Sequence, residues 1–259
     1  MFNKINKILR DIKSVRIQGA ENIVKYGLKA YSLKPSKDTV NRLLRLRSTE
    51  PLLENSLRYA EKKGVKETLR ILEEKEKKII ENGVKIIKNN SVIFTHCHSS
   101  TVMNILKEAK KRGKKFQVFS TETRPLYQGR KTAKELSKNK IKVTMIVDDA
   151  FHVALKKADL ILIGADAILK KGVLNKIGSG LFAEDAYRHK VPLYVASVSW
   201  KSSNKNIKIE ERKGEEIFKE KSKYIDEMNP AFELVNKKYI KAIICEYGIL
   251  KYDKFLRKV

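Results

Sequence analysis

Two side chains in this sequence are placed for proton-transfer chemistry: a cysteine ahead of a helix and an aspartate closing an apolar strand. Cys97 lies in Thr95-His96-Cys97-His98-Ser99-Ser100-Thr101, where the strand-like run VIFTH (92–96) gives way to a helical pattern. A thiol near a helix N-terminus is expected to favour its thiolate, through the helix dipole and the free amides. Ser99, Ser100 and Thr101 bring hydroxyls and backbone N–H groups to the same place, which suits a phosphate. The same residues also fit a small buried cysteine with serine and threonine as helix caps, and spacing alone does not choose. A zinc reading of His96, Cys97 and His98 fails on geometry, because neighbours along a strand point to opposite faces.

Asp166 ends the run DLILIGAD (159–166). A carboxylate at the end of an apolar strand is costly to bury unless paired or protonated, and a raised pKa makes it a proton donor near neutral pH. Read structurally, it is an exposed loop aspartate capping the next segment. Asn175 and Lys176 precede a glycine-bearing helix start in Gly172-Val173-Leu174-Asn175-Lys176-Ile177-Gly178. An amide and an ammonium there can hold a hydroxyl and a phosphate, although such a pair is most often only a turn. Lys201 comes after PLYVASVS (192–199) and is another cation at a strand end. Glu122, Arg124 and Gln128 come after FQVFST (116–121) and fit a polar site or an ion-pair network equally well.

The elements that position these residues change in texture along the chain. Residues 1–88 read as a helical domain. Ile5, Ile8, Leu9 and Ile12 share one helical face, and Leu69, Leu72, Ile79, Ile80, Ile86 and Ile87 keep a similar period. Asn82-Gly83 interrupts or ends that stretch. Residues 89–259 alternate short apolar runs with amphipathic segments. With KVTMIVD (142–148), five strand-like runs emerge, and AIICEYGIL (242–250) reads as one more strand. Strands alternating with helices imply a parallel sheet with helices on both faces, and such sheets bind ligands beyond their strands' carboxyl ends. Cys97 and Asp166 then share one sheet edge, the arrangement an aldose–ketose isomerisation needs.

The totals narrow the class. The chain has 259 residues, a formal net charge of +27 and two cysteines, Cys97 and Cys245. No apolar run approaches the roughly 20 residues of a membrane span, and the N-terminus reads as a basic amphipathic helix without a signal-peptide apolar region. Two distant cysteines argue against a disulfide framework and for a reducing, cytoplasmic setting. The positive charge is spread among acids, without an RGG, zinc-finger or ribonucleoprotein motif. It is read as a lysine-rich surface, not as a nucleic-acid interface.

Taken in order, FTHCHSST (94–101), TETRPLYQGRKTAKEL (121–136), VDDA (147–150), GAD (164–166), NKIG (175–178) and NPAF (229–232) resemble a known family. It joins the regulatory subunits of translation initiation factor 2B with methylthioribose-1-phosphate isomerase and archaeal ribose-1,5-bisphosphate isomerase. The resemblance runs from about Arg16 to Gly248. It implies a helical N-terminal domain and a Rossmann-like catalytic domain, a homo-oligomer (dimer or hexamer), and no metal or organic cofactor. It implies Cys97 and Asp166 as the catalytic pair, and HCHSS with TETRPxxQG is closer to the ribose-1,5-bisphosphate enzymes than to the methylthioribose ones. The implied reaction turns ribose 1,5-bisphosphate into ribulose 1,5-bisphosphate in nucleoside monophosphate breakdown. Asp166 would assist ring opening and proton movement between O1 and O2. Cys97, as thiolate, would take the C2 proton, with a hydride shift as a variant. Substrate contacts are implied for Gln18, Gly19, Ala20, Glu21, Arg47, Ser99, Ser100, Thr101, Gln128, Asn175, Lys176 and Lys201.

This sequence departs from the family pattern at its anion clamp. The family's Arg-Gly-Ala-Gly reads Gln18-Gly19-Ala20-Glu21, which loses a cation and gains a carboxylate; Arg16 is the cation at hand to compensate. Ser48 replaces the proline after the N-terminal arginine, and the Asp166–Asn175 loop is one residue shorter. The rival reading is a non-catalytic regulatory subunit, or a methylthioribose-1-phosphate isomerase.

Overall fold

The computed structural model describes residues 2–14, 16–46 and 50–259. Arg47 and Ser48 lie outside the described residues. Five helices come first: α1 (Phe2–Lys13), α2 (Ala20–Leu33), α3 (Lys37–Leu46), α4 (Pro51–Lys63) and α5 (Val65–Val84). Each is amphipathic, and their apolar faces meet in one core containing Ile12, Ile23, Leu28, Leu43, Leu53 and Ile79. Asn82 and Gly83 stay inside α5; Gly83 is required because a Cβ there would fall 2.4 Å from Ile105 Cδ1. Ile86 and Ile87 lie beyond the end of α5.

The second part alternates as its apolar runs predict. Its elements are β1 (Ser91–Thr95), α6 (Ser100–Lys111), β2 (Phe116–Thr121), α7 (Gln128–Lys138), β3 (Lys142–Ile146), α8 (Phe151–Leu155) and β4 (Leu160–Ile163). After these come β5 (Ala167–Leu169), β6 (Gly172–Lys176), α9 (Ser179–Arg188), β7 (Leu193–Ala196), β8 (Phe232–Asn236), β9 (Ile240–Cys245), β10 (Gly248–Leu250) and α10 (Tyr252–Leu256). The main sheet runs β10-β9-β7-β4-β1-β2-β3 and is parallel apart from the β9–β10 pair.

Period-two alternation divides the two cores. Ile93, Leu160 and Leu162 face the helical layer, while Phe94, Ile161 and Ile163 face the opposite core with Phe182 and Phe255. The N-terminal helices therefore share one core with a face of the sheet.

Two features differ from the sequence expectation. AIICEYGIL is a hairpin, not one strand: Gly248 at φ 118° reverses the chain so that β10 pairs antiparallel to β9. A second, three-stranded antiparallel sheet, β5-β6-β8, lies beyond the end of β4 and carries Asn175 and Lys176 on its middle strand.

Strand order decides where a ligand sits. The chain leaves β1 toward β2 and β3, then returns to β4 on β1's other side. The β1–β4 boundary is thus the topological switch point, where the crevice of an open parallel sheet opens. Cys97 follows β1 and Asp166 follows β4.

Gly129 anchors α7 to the end of β2. A Cβ there would sit 1.7 Å from the Thr121 carbonyl oxygen, a backbone atom with no room to yield. Gly129→Ala is expected to cost about 1–3 kcal/mol through forced displacement. At this chain length that lowers the melting midpoint by roughly 2–4 °C per kcal/mol. A thermal melt unchanged by the substitution would refute this account.

Candidate active site

The segment after β1 turns sharply. Cys97 adopts a left-handed backbone, φ 66°, which is uncommon for a residue with a side chain. The turn is held from both sides: the Cys97 N–H donates to Thr123 Oγ1 at 3.0 Å, and Thr132 Oγ1 donates to the Cys97 carbonyl at 2.8 Å. Thr123, also left-handed at φ 62°, is fixed in turn by its N–H to Asp148 Oδ1 at 2.8 Å. The VDD motif is therefore a support beneath the cysteine turn. His96 is fully enclosed, its Nδ1 2.6 Å from Thr121 Oγ1 and its Nε2 2.9 Å from the Ile177 carbonyl, and burial lowers its pKa to about 4. His98 pairs with Thr132 Oγ1 at 3.0 Å, and burial takes its pKa to about 4 as well. Both imidazoles are neutral posts at physiological pH.

A cavity of about 450 Å³ opens over this turn. Cys97 and Asp166 both line it, as do Gln18, Gly19, Ala20 and Glu21; Ser99, Ser100 and Thr101; and Gln128, Asn175, Lys176 and Lys201. The helical layer closes one side through α2 and α5, and the second sheet supplies the other. Gly164 allows the close approach of the two strand ends, because a Cβ there would lie 2.6 Å from Ser99 Oγ.

The two candidate catalytic groups keep part of their surface open to this cavity while lying deep in the protein. Burial pushes the Cys97 thiol up to about 11, and the Asp166 charge adds to the rise while Lys176 opposes it. The expectation of a thiolate favoured by the helix end is thus reversed in the resting site: desolvation outweighs the dipole. Burial also raises Asp166 above its ordinary 3.8, against the opposing pull of Lys201 and Lys176. The Asp166 N–H donates to Leu174 O at 2.8 Å, so the β5–β6 hairpin fixes its backbone.

The cations are held as firmly. Lys176 is almost wholly enclosed, and burial lowers its pKa. Asn175 Nδ2 donates to Ser179 Oγ at 3.0 Å, and Ser179 Oγ donates to the Lys176 carbonyl at 2.7 Å, which ties both to the start of α9. Lys201 Nζ donates to the Ala165 carbonyl at 2.5 Å, next to Asp166. Gln128 Oε1, also facing the cavity, is buried with no hydrogen-bond partner among the described residues, which leaves an unsatisfied acceptor there.

The start of α6 differs from the expected phosphate cradle. Ser99 caps the helix, accepting from the Val102 N–H at 3.4 Å. Thr101 Oγ1 donates to Glu76 at 3.2 Å, and Ser100 hydrogen-bonds with Glu21. Two carboxylates therefore face the cavity at the start of α6. Burial raises Glu76 above its ordinary value, and the like charge of Glu21 adds to the rise. For Glu21 burial works upward, but its bonds to Lys25 and Ser100 and the nearby Lys201 together hold it below its ordinary value. Lys25 Nζ sits 2.7 Å from Glu21.

Arg16 does not compensate: its side chain is 73% exposed and 3.6 Å from Asp11. Glu122 pairs with Arg130 at 2.8 Å and Arg124 with the Tyr127 hydroxyl at 2.5 Å, outside the cavity. Sequence reasoning missed Lys25, Glu76 and Arg212, all of which line it. Arg212 is clamped by Glu216 and Glu210, and Asn229 ties the same loop to Lys213 through a 2.9 Å bond. Lys25 had one signal, its place four residues after Glu21 on a helix. Glu76 and Arg212 lie within charge runs that look solvated.

The chain matches the model of the initiation factor 2 subunit family over residues 6–252. It is 37% identical to a protein of Methanocaldococcus jannaschii named ribose 1,5-bisphosphate isomerase, over 95% of this chain and 91% of that one. It is 32% identical to a Pyrococcus furiosus protein named putative translation initiation factor eIF-2B subunit 2-like, over 95% and 96%. A crystal structure of a Pyrococcus horikoshii protein, titled translation initiation factor eIF-2B, superposes with a TM-score of 0.87 at 29% identity, covering 95% of this chain and 96% of that chain. The chain belongs to the initiation factor 2 subunit family.

Proposed function

We propose that this chain isomerises ribose 1,5-bisphosphate to ribulose 1,5-bisphosphate. The observation that carries the reading is the meeting of Cys97 and Asp166 in one cavity at the topological switch point. The relative from Methanocaldococcus jannaschii supports the choice of sugar through its name.

The chemistry balances with one proton shared between the pair. Asp166, as the acid, gives its proton to the ring oxygen, and the bond from that oxygen to C1 breaks. The Cys97 thiolate takes the C2 proton, and that electron pair forms the C1–C2 double bond of an enol phosphate. The thiol then returns the proton to C1, while the O2 proton passes to Asp166 as C2 becomes a carbonyl. O1 carries the phosphate, so Asp166 moves protons on the ring oxygen and O2, not between O1 and O2. The raised Asp166 suits this role, and its protonation removes the charge that opposes the Cys97 thiolate. The reactive form is a proton tautomer of the resting thiol and carboxylate. Lys176 and Lys201 hold phosphate charge, and Gln128 accepts a sugar hydroxyl.

One shared proton sets the pH profile. Raising the pH strips it and lowering the pH adds a second, so kcat/KM is bell-shaped. Because Asp166 is raised, the acid limb is expected at a midpoint above 3.8, and the alkaline limb approaches the thiol value of about 11. A rate that stays flat below neutrality would contradict the shared-proton scheme.

The direct test is formation of ribulose 1,5-bisphosphate by the purified chain, beside a methylthioribose 1-phosphate assay. Binding without turnover of either sugar would favour the regulatory reading, which the carboxylates at the start of α6 support. Self-association belongs to the same proposal and is measured by sedimentation.

A further inference from the structure

Two of the chain's four histidines converge on one aspartate, away from the cavity. His152 lies on α8; Asp185 is on α9 and His189 is its C-terminal cap, four residues on and on the same helical face. His152 Nδ1 is 2.8 Å from Asp185 Oδ2, and His189 Nε2 is 3.6 Å from Asp185 Oδ1. The two imidazole rings are 5.2 Å apart, and one ligand atom from each of the three residues falls within 4.8 Å of the others. In a tetrahedral site with bonds of about 2.1 Å, ligand atoms stand about 3.4 Å apart. Metal binding therefore requires the side chains to rotate toward that spacing, and the half-exposed rim leaves the remaining positions to water.

We infer that His152, Asp185 and His189 form a binding site for a divalent transition metal ion that clasps α8 to α9. Two imidazoles and one carboxylate select zinc, cobalt or nickel over magnesium or calcium, which prefer all-oxygen shells. The clasp has a structural consequence. Phe151 of α8 packs tilted against Phe182 of α9, ring centres 4.8 Å apart, and Phe182 in turn lies 4.7 Å from the His96 ring under the cavity. The turn before α8 holds Asp148, whose carboxylate supports Thr123 and through it the Cys97 turn. Both helices thus brace the cavity floor, and a metal joining the first turn of α8 to the last turn of α9 fixes their relative position without touching the reacting groups.

The test uses the full chain with zinc or cobalt chloride in a non-coordinating buffer. The expected result is one equivalent taken up saturably, with a rise in melting midpoint as zinc reaches saturation. Cobalt should give visible bands without a sulfur charge-transfer band. In proton NMR the His152 and His189 ring signals should broaden with cobalt while those of His96 and His98 persist. His152→Ala with His189→Ala should weaken uptake at least about tenfold; His189→Asn is the milder variant if the pair impairs folding. No saturable uptake by the wild type, uptake unchanged in the variants, or a sulfur band indicating Cys97 or Cys245 would overturn the proposal.

Discussion

Cys97→Ser and Asp166→Asn are each expected to lower kcat at least about 100-fold, the scale of positioned proton transfer. Sugar-phosphate binding should change little. Serine keeps the left-handed turn and its bonds to Thr123 and Thr132, which use the backbone of residue 97. What it loses is an ionisable group, because a hydroxyl gives no anion at a pH where a thiol held near 11 still does. Asparagine keeps the shape of Asp166 but can neither give nor take the proton. The double variant should be hardly worse than either single one, because the groups act on one shared proton. Asp166→Asn should also melt no lower than the wild type at neutral pH. Its folded pKa is raised, so above that value the buried ionised carboxyl works against folding, and asparagine removes this opposition. A product assay with binding measured in parallel decides the matter. If either variant turns over at the wild-type rate, the catalytic assignment fails.

Both partners of that pair are legible in the sequence, and the reason is geometric. Apolar runs with period-two alternation mark strands, and an open parallel sheet reads its ligands from strand ends. Cys97 and Asp166 are found by looking where VIFTH and DLILIGAD stop. What the sequence leaves hidden depends on contacts between distant segments. The β5-β6-β8 sheet joins Gly172–Lys176 to Phe232–Asn236, two short stretches of mixed polarity that carry no strand signal until they meet. The AIICEYGIL hairpin is masked by its apolar flanks, and only Gly248 marks the reversal. The protonation state of Cys97 is hidden for a related reason. A helix end is visible in sequence, whereas the depth of the cavity that desolvates the thiol comes from α2, α5 and the second sheet closing over it. Glu76 is obscured by its neighbours in EEKEKK, where each charge looks solvated. Packing of α5 on α6 turns that one carboxyl inward to Thr101 and Asn104.

Glu21→Gln is expected to lower the KM for ribose 1,5-bisphosphate roughly threefold to tenfold at low salt, with kcat little changed, as removing one partly screened like charge implies. Glu21 stands in the first turn of α2 and shares the start of α6 with Glu76, so a phosphate arriving there meets two carboxyl groups. The wild-type arrangement offsets them with Lys25, whose ammonium is bound to Glu21 at 2.7 Å and is not free for a ligand. Glutamine keeps the length and the hydrogen bond to Ser100 but releases Lys25, so one substitution removes an anion and frees a cation at the same point. The gain should shrink as ionic strength rises, because Glu21 is partly exposed and its field is screened. It should also depend on the charge of the ligand: ribose 1,5-bisphosphate gains more than ribose 5-phosphate, which carries a single phosphate. Glu76→Gln provides the contrast. That carboxyl is held by Thr101 and Asn104 and has no lysine to release among the described residues, so its loss should improve binding less than the loss of Glu21 does. Steady-state kinetics with ribose 1,5-bisphosphate, with ribose 5-phosphate measured as a competitive inhibitor, across a salt series makes the comparison. An unchanged KM in Glu21→Gln would mean that phosphate binds at the Lys176 and Lys201 side alone and that the carboxylates at α6 stand outside its path, and an equal gain for both sugars would refute the dependence on ligand charge.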